Sequence, residues 1–304
     1  MKNKFLIIPL ICLVVVGIIW FVQSPTSSKE TPQQSSAHVV QDVTFSGGII
    51  PIQSFNDIRS ELDSTDADTL VVFDVDDVLI TYNDMVLRPS GAHFRPASWK
   101  GIDPKEIPYL ISIMLNEGQI ILIDHSTPLL INKLKSKGVK TIALTAARTG
   151  KFGVIESAEE WRLKVLKQFD IDFSKSFSTK QIYFDNIEKK ETEYSLFKDG
   201  VLFLGDEKTT KGALLVQFLK KVQWTPKKVI FIDDKMSHLT SVEAALNKAK
   251  IPFQGYQYKG ADKLPGKLDE QIAEVQFSHL RKDHKWLSDS EAKKEEQCLS
   301  ALHQ

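Results

Sequence analysis

The stretch "LVVFDVDDVLIT", residues 70–81, decides how this chain is read. Its first four residues are apolar and mostly β-branched or aromatic, the composition of a strand buried on both faces in a parallel sheet covered by helices. The run then breaks into the carboxylates of Asp74, Asp76 and Asp77. Asp74 therefore stands where a central strand ends, the edge at which open α/β sheets bind ligands. Residues two apart on extended chain project to the same side, so Asp74 and Asp76 face one site and Asp77 points elsewhere. Helix capping or a turn would account for one such aspartate, not for all of them.

Outward from this stretch, short apolar runs alternate with amphipathic segments. "TLVVFD", "GQIILID", "VKTIALT", "VLFLGD", "KVIFIDD" and "IPFQGYQY" read as strands of an α/β fold with a doubly wound, parallel, Rossmann-like sheet. Helix ends are legible between them. Asp103, Pro104 and Glu106 have the spacing of a cap, a first helical residue and a capping box, and "STPLLINKLKSKG" predicts a helix from Thr127 and Pro128 to Gly138. Two stretches interrupt the alternation, residues 82–119 and residues 181–204. In the second, Asp199-Gly200 is a two-residue hairpin turn. The domain is expected over 46–290, and the charged residues 291–304 read as a helix end or solvated tail.

The chain has 304 residues, 42% of them hydrophobic, enough for a substantial core. Lys plus Arg and Asp plus Glu each total 39, so no net field draws the chain to nucleic acid, and none is expected as a partner. Residues 1–22 place Lys2 and Lys4 before an uncharged run, Phe5 to Val22, that spans ~27 Å as a helix. An uncleaved membrane anchor is favoured over a cleaved signal, because the best cleavage position precedes Pro25. Either way the positive flank stays inside and the domain lies outside the cytoplasm, after a flexible linker over residues 23–45.

Further strand ends carry polar groups of matching chemistry. Thr145 follows the apolar strand of "TIALTAART", Lys211 opens the helix "TTKGALLVQFL", and "KVIFIDDK" ends in Asp233 and Asp234. Singly, each is ordinary: a cap, a solvated lysine, a turn. In chain order, the series acidic pair, Thr, Lys, acidic pair resembles the motifs of the haloacid dehalogenase (HAD) superfamily. The resemblance runs from about residue 68 to 256. "EEWRLKVLKQFDIDF" and "WLSDSEA" look like a bacterial HAD-like subgroup that is largely uncharacterised.

That resemblance implies a phosphatase working through an aspartyl phosphate, with a phosphomonoester, small or on a protein, as substrate. Asp74 is the expected nucleophile. Attack by a carboxylate on a phosphate dianion needs cations to offset the charge, which Lys211 and a divalent ion supply. Oxygen-only ligation by Asp74, the backbone carbonyl of Asp76, Asp233 and Asp234, the last directly or through water, suits Mg²⁺. Thr145 would donate to a phosphoryl oxygen. Asp76 would protonate the leaving alkoxide and then deprotonate the hydrolytic water. Arg148 is a candidate substrate contact, with a surface ion pair as the equal alternative. A small cap over 82–119 would leave the site partly open, and Phe94 and Trp99 there could stack on an aryl phosphate or phosphotyrosine ring. The aromatics could equally be cap core, beside His93 and Arg95. His125 and His238 read as helix-end residues without a metal. A phosphotransferase and a catalytically silent phosphate- or partner-binding module remain the alternatives.

Overall fold

The structure, a computed structural model, describes residues 46–184, 192–205 and 208–302. The expected membrane segment and linker, and residues 185–191 of the second insertion, lie outside the described residues. The strands are β1 (Ser46–Ile52), β2 (Thr69–Phe73), β3 (Ile80–Tyr82), β4 (Ile120–Leu122), β5 (Lys140–Thr145), β6 (Gln181–Tyr183), β7 (Leu196–Lys198), β8 (Val201–Phe203), β9 (Lys228–Asp233) and β10 (Phe253–Tyr258). The α-helices are α1 (Arg59–Ser64), α2 (Arg95–Ser98), α3 (Ile107–Glu117), α4 (Thr127–Ser136), α5 (Ala158–Gln168), α6 (Lys211–Lys221), α7 (Met236–Lys248), α8 (Glu270–Asp283) and α9 (Asp289–Leu302).

The central sheet runs β1-β10-β9-β2-β5-β8-β7-β6. It is parallel from β1 to β8, and β7 and β6 add an antiparallel edge. Leu70, Val71, Val72 and Phe73 are all fully buried in β2, because alternate residues feed two cores. Val71 and Phe73 pack with Leu62 of α1, Leu134 of α4 and Leu166 of α5. Leu70 and Val72 pack with Leu215 and Phe218 of α6 and Leu239 and Val242 of α7. Each such side chain contributes ~1.5–3 kcal/mol by leaving water. Helices on both faces account for the continuous apolar run read in the sequence.

The second insertion turns at Asp199 and Gly200, whose φ values of 46° and 85° are those of a tight hairpin turn, with Leu196 facing Phe203 across it. Several expectations need correction. "GQIILID" forms β4, which leaves the main sheet and pairs antiparallel with β3, so residues 82–119 emerge from a two-stranded stem. A short apolar run carries no information about its partner. Asp103 does not cap α3. It holds the Lys105 N–H at 2.9 Å in a turn, and the helix starts at Ile107 with Pro108 in its first turn. Residues 291–304 are not a tail through their described part, since α9 packs on α8 and buries Ala292 completely.

Candidate active site

The sheet register brings the acidic strand ends together. Phe73 pairs with Ile232, and Asp74, the residue after β2, donates its N–H to the Ile232 carbonyl at 2.8 Å, so Asp74 lies level with Asp233 on the neighbouring strand. Lys211 reaches both from α6. Thr210 caps this helix by accepting the Ala213 N–H at 3.2 Å. Gly212 lets α7 approach closely, since a Cβ there would lie 2.0 Å from the Ser241 carbonyl oxygen. The "TTKG" stretch thus fixes where the Lys211 stem enters. Its ammonium sits 2.8 Å from Asp74 Oδ1 and 2.7 Å from Asp233 Oδ2, with the lysine side chain fully buried.

Electrostatics follow from this packing. Burial and then the charge of Asp233 raise the Asp74 carboxyl above the usual range, against the pull of Lys211. Burial would raise Asp233 too, but Lys211 and His238 outweigh it and hold that carboxylate low. Burial disfavours the Lys211 charge, yet Asp233 and Asp74 more than compensate and raise it. Asp233 also accepts the Lys235 N–H at 2.8 Å and faces His238 Nδ1 at 3.1 Å. Sequence reasoning missed His238 as a partner of this aspartate.

Asp234 differs from its neighbour. Its Oδ1 is buried with no hydrogen-bond partner among the described residues, and burial followed by the charge of Asp74 raises its carboxyl. Asp77 turns the chain toward β3 with φ 63° and takes the Thr81 hydroxyl at 2.8 Å. Burial pushes its carboxyl up to about 6. Asp74, Asp77 and Asp234 are thus three carboxyl groups that burial raises at one end of the sheet. An unpartnered buried carboxylate oxygen in such a cluster, with oxygen donors around it, fits a hard divalent cation such as Mg²⁺. Asp74, Asp233 and His238 also offer ligand atoms within 4.8 Å of one another. The Lys211 ammonium already bridges the two carboxylates of that set.

Asp76 holds a different partner. Arg162 of α5 places Nη2 2.8 Å from its Oδ1 and 3.1 Å from its Oδ2. The arginine side chain is 6% exposed and the aspartate's 43%. No sequence reading singled out Arg162.

Residues 51–293 match a family described as "Protein of unknown function (DUF2608)". The chain belongs to this family. Among its relatives, an uncharacterised protein of Rickettsia prowazekii is 28% identical over 252 residues, covering 81% of this chain and 90% of that protein. A protein of Chlamydia trachomatis, provisionally named an outer membrane protein, is 24% identical over 241 residues, 77% of this chain and 85% of its own. A Chlamydia pneumoniae protein of the same provisional name is 22% identical over 243 residues, 76% and 84% of the two chains. No solved structure matches the chain significantly.

In this DUF2608 chain Thr145 stays at the sheet edge beside the strand of Asp74, while Arg148 and the insertion's aromatics have other partners. Thr145 closes β5, next to β2, fully buried, its hydroxyl accepting the Ala147 N–H at 3.1 Å. Arg148 is paired with Glu193 and lies over the Phe152 ring, the surface-pair alternative to a substrate contact. The insertion's aromatics pack on α8. Trp99 is 7% exposed and meets Phe277 of α8 edge-on at 5.2 Å, while Phe94 tilts against the same ring at 6.1 Å. Arg95 spends its guanidinium on the Val86 and Arg88 carbonyls. "WLSDSEA" locks the insertion to the C-terminal helices: Trp286 Nε1 donates to Asp84 at 2.9 Å, the Trp286 N–H to Glu117 at 2.8 Å, and the Met85 N–H to Asp289 at 2.9 Å.

Proposed function

We propose that this protein is a Mg²⁺-dependent phosphomonoester hydrolase of the HAD type, acting through an aspartyl phosphate on Asp74. The observation that carries the reading is the buried Lys211 ammonium between Asp74 and Asp233 at the carboxyl edge of a parallel sheet, where the next residue, Asp234, has a buried oxygen without a hydrogen-bond partner among the described residues. Lys211 aligns the Asp74 carboxylate and offsets charge that develops on the transferring group. Asp74 forms a bond to phosphorus as the ester P–O bond breaks, and Asp76 delivers a proton to the departing oxygen. Asp76 then takes a proton from water as its oxygen attacks phosphorus, freeing Asp74 and inorganic phosphate. Asp74, Asp234, Asp233 and the Asp76 carbonyl would hold Mg²⁺, which when bound supplies positive charge against phosphoryl oxygens. Thr145 would donate its hydroxyl to one of those oxygens.

The test is hydrolysis of a panel of phosphomonoesters by the full chain in detergent, with Asp74→Asn as control. Turnover should vanish in that variant, and near-normal hydrolysis by it would sink the assignment.

The uncharged Phe5–Val22 run and the provisional names of the chlamydial relatives support a place in the cell envelope, outside the cytoplasm. Among the described residues no helix is long and apolar enough to cross a membrane, so the anchor rests on that run. Retention in the membrane fraction after alkaline washing is the expected result. A soluble form beginning near Pro25 would show a cleaved signal instead.

A further inference from the structure

We infer that Arg162 is a positioning residue for Asp76, holding the acid and base of the proposed reaction where it meets the leaving oxygen. The inference rests on the phosphatase reading. Arg162 lies on the buried stripe of α5 with Ala158, Leu163 and Leu166. Its Cζ sits 5.0 Å from the Trp161 ring. Among the described residues its Nε and Nη1 are buried without a hydrogen-bond partner, and the Asp76 carboxylate answers its charge through Nη2. A buried guanidinium with a single counter-ion resists losing it, because an uncompensated charge in the interior is costly. The arginine is fixed by its packing, and the aspartate, 43% exposed, is the partner open to solvent. The rigid member of the pair therefore sets the location of the mobile one. Asp76 otherwise stands on the turn after β2, where its backbone bridges to Ile80. That bridge fixes its main chain and leaves the carboxyl group free to rotate.

A group that merely supports the fold lowers activity on every substrate alike. A group that positions a general acid matters most where the leaving oxygen needs a proton to depart. An alkyl phosphate releases a strongly basic alkoxide, whereas a nitrophenyl phosphate releases a stable phenolate. Comparing kcat/KM on these substrates, which reports the step that breaks the ester bond, separates the two roles.

The experiment measures kcat/KM of the wild-type full chain, Arg162→Gln and Arg162→Lys on one alkyl and one nitrophenyl phosphate with Mg²⁺ present. Loss of general acid assistance is worth roughly 100-fold or more. Arg162→Gln should therefore lose about 100-fold on the alkyl ester and less than about 10-fold on the aryl ester, with Arg162→Lys between it and wild type. Combining Arg162→Gln with Asp76→Asn should add nothing further on the aryl ester, since the arginine acts through that carboxylate. Equal losses on both esters, or no loss on either, would overturn the inference and leave the phosphatase reading standing. A wild type inactive on both would overturn the phosphatase reading itself and the inference with it.

Discussion

Lys211 and Asp233 form an ion pair at 2.7 Å in which neither side chain reaches solvent. Asp74 joins it at 2.8 Å from the same ammonium. A buried charge that loses its partner costs ~3–5 kcal/mol, more than a surface pair ever contributes. Lys211→Met should lower the unfolding free energy by about that amount in urea denaturation and abolish turnover. Adding Asp233→Asn should restore part of the stability and none of the activity. A Lys211→Met protein as stable as wild type would mean that the ammonium does not hold the two strand ends together.

Asp234 provides a test of the cation that does not depend on turnover. Its buried Oδ1 has no hydrogen-bond partner among the described residues, so a divalent ion that binds there stabilises the folded chain by mass action, ~2.7 kcal/mol at 100 times its dissociation constant. Mg²⁺ should raise the Tm of wild type, Ca²⁺ should raise it less because of its looser geometry, and Asp234→Asn should respond to neither. An unchanged wild-type Tm, or an equal rise in the variant, would remove Mg²⁺ from the proposal.

The loop between Thr145 and α5 depends on Glu159. This residue, 6% exposed in the first turn of α5, accepts the Gly150 N–H at 2.7 Å and the Tyr194 hydroxyl at 2.6 Å. Burial acts to raise its pKa, but these hydrogen bonds prevail and the carboxyl lies below its ordinary 4.5. A group depressed in the fold stabilises it above the unfolded value and loses that contribution as pH falls through the folded value. Glu159→Gln should therefore be less stable than wild type by about 1–3 kcal/mol at neutral pH, with the gap closing below about pH 4.5. A gap that stays constant down to pH 3 would assign the effect to packing.

What the sequence made legible was local. The apolar run of β2, the start of α4 at Thr127 and the strand-end aspartates are patterns within a few residues, and the strand ends place Asp74, Lys211 and Asp233 on one edge. Arg162 was hidden because it stands among charged residues in "EEWRLKVLKQ". Its one sequence signal is that it falls four residues after Ala158 and four before Leu166, on the apolar stripe. The pairing of β4 with β3 was hidden because it depends on residues far away in sequence, and the docking of α9 on α8 was hidden as well. Charge conceals the second case: Trp286 and Ala292 are buried within a stretch dominated by Lys and Glu.

Trp99 decides whether the insertion recognises substrate or simply holds together. Its place in the insertion over residues 82–119 suggests a stacking platform for an aryl phosphate. In the fold the indole is instead one wall of a cluster centred on Phe277, which is fully buried and also meets Trp286 edge-on at 5.6 Å. Arg281 ties the neighbouring Ser98 carbonyl to the same helix at 3.1 Å. A side chain so enclosed contributes through packing, and removing a buried aromatic costs ~3–5 kcal/mol. Trp99→Ala should lower the unfolding free energy by about that amount, and Trp99→Phe by less. Near room temperature, where the variant is still folded, kcat/KM for phosphotyrosine, a sugar phosphate and a nucleotide should fall in the same proportion. Loss confined to phosphotyrosine would return Trp99 to the binding site, because a packing defect in α8 has no means of distinguishing one leaving group from another.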